Sequence, residues 1–142
     1  MTEAGLVLHK LGVLREHVER VRRRRPASAV LLRADVDRQD ALAMSLLVAV
    51  QEAIDVAFHI VADERWGVPS SYAEGFDLLA RHAVIEWELA DELGRVVGVR
   101  HRLAHGYASI DANRLWSELP AGLETLDRYA LAIAQFVGPK GA

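Results

Sequence analysis

An all-α bundle of about five helices is the fold this sequence predicts, and three observations predict it. Ala, Leu, Val and Arg dominate the 142 residues, half of which are hydrophobic, and aromatics supply only 6%. Straight-chain residues and Ala lose little freedom on entering a helix. Apolar residues recur every three or four positions over long stretches, which puts them on one helical face. Strong breakers are few: Pro26, Gly67-Val68-Pro69, Gly106 and Gly138-Pro139. They cut the chain into helices with short connections, all within one domain spanning 1–142.

The first helix is expected over residues 3–24, with Leu6, Leu8, Leu11, Val13, Leu14, Val18 and Val21 as its apolar stripe. It closes in Arg20 and Arg22 to Arg25, cations that suit the partial negative charge of a helix C-terminus. Residues 26–35 read as a connection, or a short irregular piece built on Val30, Leu31 and Leu32. A second helix starts near Asp37, a plausible cap, and runs to about Asp63. Its centre, Leu46 to Ile60, is apolar nearly all round, as in a buried helix. Ser71-Tyr72-Ala73-Glu74 matches a capping box and starts a third helix that ends near Arg81. A fourth runs from about Glu86 through Arg100, acidic at its start and basic at its end. Asp111 caps a fifth over 112–137, where Leu115, Leu119, Leu123, Leu126, Tyr129, Ile133 and Phe136 share a face and Pro120 threatens a bend.

Composition excludes several chemistries. There is no cysteine, so disulfides, thiolate catalysis and cysteine-ligated zinc are ruled out. No targeting signal is evident and no run of eighteen apolar residues occurs, so the expectation is a cytoplasmic protein with no membrane partner. The net charge of −3 divides into +3 over residues 1–40 and −6 over the remainder. Any contact with nucleic acid must therefore come from local basic clusters.

The unusual segment is Arg100-His101-Arg102-Leu103-Ala104-His105-Gly106-Tyr107. Arg100 lies four after Val96 and three before Leu103, so it projects from or beside a stripe that should be buried. A guanidinium cannot shed its charge, and burial demands a partner: a carboxylate or a phosphate. His101 and His105 are four apart and share a face, Gly106 ends the helix, and Tyr107 follows on the turn. RNA cleavage without a metal needs such groups. A base takes the 2′-hydroxyl proton, an acid protonates the leaving oxygen, and a cation steadies the phosphorane-like charge.

Blander roles stand beside these. Arg100 could pair with Asp55 or Glu52, His105 could meet helix-end carbonyls, and Tyr107 could simply pack. The His101/His105 spacing also suits a metal, but no Cys or carboxylate joins it, and no cofactor or metal is expected. Asp55 and His59 read either as a satisfied polar pair or, for Asp55, as a support that orients Arg100 or a histidine. Arg22 to Arg25 read either as a solvated helix end or as an extension of an RNA groove.

The pattern Arg100-x4-His105-x-Tyr107 resembles the Arg-x4-6-His signature of HEPN nucleases, in the form found in the HepT family. His101 departs from the Asn that commonly follows the arginine. Residues 51–61 resemble the family's second core helix, Gly67 to Tyr72 its following turn, and Val97-Gly98-Val99 its run into the motif; the likeness covers roughly 38–137. The resemblance implies a HEPN-type helical homodimer with two motifs facing a shared cleft. It implies a toxin of a type VII-like toxin–antitoxin pair, a metal-independent endoribonuclease that leaves a 2′,3′-cyclic phosphate. Arg100 and His105 would be catalytic and His101 and Asp55 supporting. An MNT-type nucleotidyltransferase antitoxin would neutralise it by AMPylation of Tyr107. The alternative is a non-catalytic HEPN dimer that binds RNA or protein. A metal-carrying four-helix bundle lacks its paired Glu-x-x-His motifs.

Overall fold

The computed structural model describes residues 2–106 and 110–138. They form α1 (Ala4–Arg24), α2 (Ala29–Arg33), α3 (Val36–Asp63), α4 (Tyr72–Arg81), α5 (Trp87–Gly106) and α6 (Ala112–Val137), with no strand among the described residues. The all-α expectation holds, with six helices rather than five.

The additional element is α2, a helix of five residues inside the expected connection. One turn has no periodicity to betray it. Ser28 starts it by accepting a hydrogen bond from the Leu31 amide, and only Leu32 is buried; Val30 and Leu31 face outward. The cap of α3 is Asp35, which accepts from the Arg38 amide, and not Asp37, which lies in the first turn.

α1 lies along α3 through Val7, Leu11, Leu14, Val18 and Val21. Their alternating spacing of four and three is a heptad-like seam. Leu6 and Leu8, expected in that stripe, are exposed instead. α3 is the centre of the bundle and packs on every other helix. By length and composition it could cross a membrane, but 56% of its most apolar window is buried in this fold. The apolar circumference is matched by helices on several sides.

α6 closes the bundle. Tyr129 is fully buried, and its hydroxyl donates to the Ala53 carbonyl at 2.9 Å while Phe76 meets its ring edge-on. Pro120 has no N–H to offer the carbonyl of Trp116, four residues earlier. That carbonyl instead accepts from Arg25 Nε at 3.1 Å and Nη2 at 3.0 Å, with the guanidinium 3.9 Å over the Trp116 ring. The arginine run thus has structural work. Arg22 pairs with Glu19 and Asp127, Arg24 donates to Ser45, and Arg25 ties α1 to α6. Of the two readings of Arg22 to Arg25, the RNA groove is the less supported, since three of the four side chains are engaged within the fold.

The start of α4 positions the site. Ser71 Oγ accepts from the Glu74 amide at 3.1 Å, the forward half of the capping box. The return half is displaced by one residue: the Glu74 carboxylate accepts from Ser70, through its Oγ at 2.9 Å and its amide at 3.0 Å. Those two bonds hold the Glu74 carboxyl below its ordinary pKa. Gly75 lets α4 approach α3 closely. A methyl there would lie 2.6 Å from Phe58 Cε1, closer than carbon atoms approach.

Candidate active site

Arg100 points from α5 toward α3. Its Nη2 donates to Gln51 Oε1 at 2.9 Å, and its Cζ lies 5.4 Å from the ring centre of Tyr72. Among the described residues no carboxylate lies within ion-pairing distance, and its buried Nε has no hydrogen-bond partner. An arginine held by a neutral amide and an aromatic face keeps its charge available, because neither partner is an anion.

Gln51 is in turn fixed by Asp55, whose Oδ1 accepts from Gln51 Nε2 at 2.9 Å. Asp55 Oδ2 lies 3.6 Å from Lys10 Nζ, and the same ammonium lies 3.7 Å from Glu52. The simple ion pair of Arg100 with Asp55 or Glu52 is therefore not what forms. Lys10 lies at ion-pair distance from both carboxylates without hydrogen-bonding either, and Glu52 Oε2 is buried with no hydrogen-bond partner among the described residues. Asp55 supports Arg100 at one remove, through Gln51. It makes no hydrogen bond to His59 among the described residues.

His101 and His105 are exposed, with ring centres 5.9 Å apart and planes 16° from parallel. His101 in turn lies 6.1 Å from the Tyr72 ring at 15°, and Phe58 meets Tyr72 edge-on at 6.1 Å. One row of rings thus runs from α3 across α4 to the end of α5. His105 also borders a groove of about 420 Å³ between α5 and α6, floored by Val99, Leu103 and Leu115 and rimmed by Arg102, Arg114 and Glu118. Arg100 does not line it. At about 100° per residue, five positions on a helix put Arg100 and His105 roughly 140° apart. One chain brings Arg100 to Tyr72 and Gln51, and His105 to His101, but does not bring Arg100 and His105 into contact. Tyr107 lies outside the described residues.

Lys10, Gln51 and Tyr72 have no part in the linear motif. Gln51 carries a usable signal, as one of the few polar residues, with Glu52, Asp55 and His59, in the mostly apolar centre of its helix. Tyr72 stood beside a recognisable cap, and Lys10 gave no signal, because its role depends on α1 lying against α3.

A sequence profile described as Ribonuclease HepT-like matches residues 14–133. The chain belongs to the ribonuclease HepT-like family. The mRNA nuclease HepT of Shewanella oneidensis is 23% identical over 124 residues, covering 87% of this chain and 92% of that protein. The tRNA nuclease HepT of Aphanizomenon flos-aquae is 28% identical over 92 residues, covering 65% of this chain and 63% of its own length. Among solved structures, the tri-AMPylated Shewanella oneidensis HEPN toxin in complex with an MNT antitoxin superposes with a TM-score of 0.83 at 23% identity, over 95% of this chain and 99% of that one. A cytosolic protein of Bacillus subtilis, YutE, superposes with a TM-score of 0.79 at 17% identity, over 95% and 90%. The family's helical fold is therefore the fold of this chain.

Proposed function

We propose that this protein is the toxin of a toxin–antitoxin pair, a cytoplasmic endoribonuclease that cleaves RNA without a metal through Arg100 and His105. The observation that carries the reading is Arg100, a half-buried permanent cation with no carboxylate partner among the described residues and an imidazole row alongside. A phosphodiester supplies the missing anion, and the planar guanidinium can engage two of its oxygens.

The reaction that fits is transesterification. The 2′-oxygen attacks phosphorus, the bond to the 5′-oxygen breaks, and a 2′,3′-cyclic phosphate remains. A neutral imidazole takes the 2′-hydroxyl proton and, protonated by that step, delivers it to the departing oxygen, so no net proton is needed. Arg100 offsets charge on the non-bridging oxygens. His105 is the proton carrier, and His101, aligned by Tyr72, supports it. The divergence of Arg100 and His105 around α5 favours a homodimer, in which a second copy's motif completes the cleft. Relatives named as mRNA and tRNA nucleases support the substrate class.

The structure of a tri-AMPylated relative with its MNT antitoxin supports the partner reading. Here the acceptor would be Tyr107, two residues beyond His105. AMP there would add bulk and negative charge where RNA should sit. The deciding experiment is cleavage of RNA in EDTA, with the product ends identified. Arg100→Ala and His105→Ala should each lose about 10²-fold or more in rate while keeping helical circular dichroism. RNA binding without turnover would point instead to the non-catalytic module. Incubation with a nucleotidyltransferase partner and ATP should add whole AMP units to the peptide containing Tyr107, and Tyr107→Phe should abolish them.

A further inference from the structure

We infer that Lys10 is a positioning residue for the site: it holds Glu52 and Asp55 away from Arg100, so that the arginine's charge is kept for substrate. The inference rests on the reading of Arg100 as the phosphate-binding cation.

α3 places Gln51, Glu52 and Asp55 within one turn of helix, since 51 and 55 are four apart and 52 and 55 three apart. Carboxylates on the same turn as the residue that bonds an arginine compete for it, because an Arg–carboxylate pair is stronger than a bond to a neutral amide. Arg100 has only the amide. Lys10 comes from α1, on the other side of the turn, and its ammonium lies 3.7 Å from Glu52 and 3.6 Å from Asp55. The lysine and Glu52 side chains are each only 19% exposed, so water screens them incompletely.

Gln51 separates the two charged systems. Its Nε2 donates to Asp55 and its Oε1 accepts from Arg100. The order along the chain of contacts is ammonium, carboxylate, amide, guanidinium. An amide in that position can satisfy both neighbours without neutralising either. Without Lys10, two carboxylates would share one turn with no cation between them, and Arg100, already bonded to the adjacent Gln51, is the cation they would draw. A guanidinium so engaged offers less to a phosphate. Lys10 precedes the segment matched to the family profile, residues 14–133, so this support is read from the packing of α1 alone.

The test separates this inference from the reading beneath it. Binding of a fluorescent single-stranded RNA is measured on full-length His105→Ala protein, which should bind without turnover. Adding Arg100→Ala tests the underlying reading, which fails if affinity is unchanged. Adding Lys10→Met should weaken binding about three- to tenfold. Adding Asp55→Asn and Glu52→Gln to Lys10→Met should restore it, because no carboxylate then competes for Arg100. If Lys10→Met binds normally, or if the restored protein stays weak while its unfolding temperature matches the parent's, the inference is wrong. The second of those results would mean that Lys10 touches RNA directly. Should Lys10→Met alone fail to fold, the triple substitution, which leaves no unpaired carboxylate, carries the comparison with the parent.

Discussion

Gln51 and Arg100 join α3 to α5 through a hydrogen bond of 2.9 Å, a neutral amide holding a cation. The bond fixes the direction of the guanidinium and leaves its charge unspent. Gln51→Glu keeps the length of the side chain and adds the anion that the native site omits. It should cut RNA cleavage by about tenfold or more, while the new pair with Arg100 is offset by repulsion from Asp55, so that the unfolding temperature stays the same or falls slightly, as activity assays and thermal melts would record.

Tyr72 meets Arg100 and His101 through its ring. A cation over an aromatic face is worth about 0.5–1 kcal/mol at a site of this exposure. Tyr72→Phe should keep nearly full cleavage. Tyr72→Leu should lower kcat several-fold with a smaller change in KM. Equal activity in the two variants would remove Tyr72 from the site.

Gly75 controls the same ring from behind. A methyl at this position would strike Phe58, which packs on the edge of Tyr72. Gly75→Ala should cost about 1–3 kcal/mol and reduce cleavage, although residue 75 touches no substrate. Combining it with Phe58→Leu should recover part of the stability, which chemical denaturation would measure.

Tyr129 sets an alkaline limit on the fold. Burial raises its phenol well above the ordinary tyrosine range, so the native state holds the proton more tightly than the unfolded chain. Its contribution is complete below the unfolded value of about 10 and is lost as pH rises beyond it. Tyr129→Phe should cost about 1 kcal/mol near neutrality, from the lost bond to Ala53. It should also flatten the loss of stability above about pH 10, visible in melts across that range.

The linear part of the molecule was legible and the tertiary part was not. Long helices announced themselves through apolar repeats, and the Ser71 and Asp111 caps through local chemistry. Asp35 and Asp37 are both acids at a helix start, and only backbone geometry separates the cap from the first turn. Arg100 and His105 were visible because they occupy one helix. Which group would satisfy Arg100 was not, since Gln51, Tyr72 and, behind them, Lys10 reach it from other helices. The arginine run was ambiguous for the same reason: its partners Asp127, Ser45 and Trp116 are distant in the chain.

That run has one more implication. Of its four cations only Arg22 meets carboxylates among the described residues, Glu19 and Asp127, while Arg24 and Arg25 are held in place by neutral groups. The stretch therefore keeps most of its charge but has these side chains pinned to the bundle. Against that local charge stands the protein's overall −3, which opposes long-range attraction of a polyanion. Encounter would then depend on close fit at the end of α5, and turnover should decline only gently as salt is added, unlike that of nucleases carrying a broad cationic face.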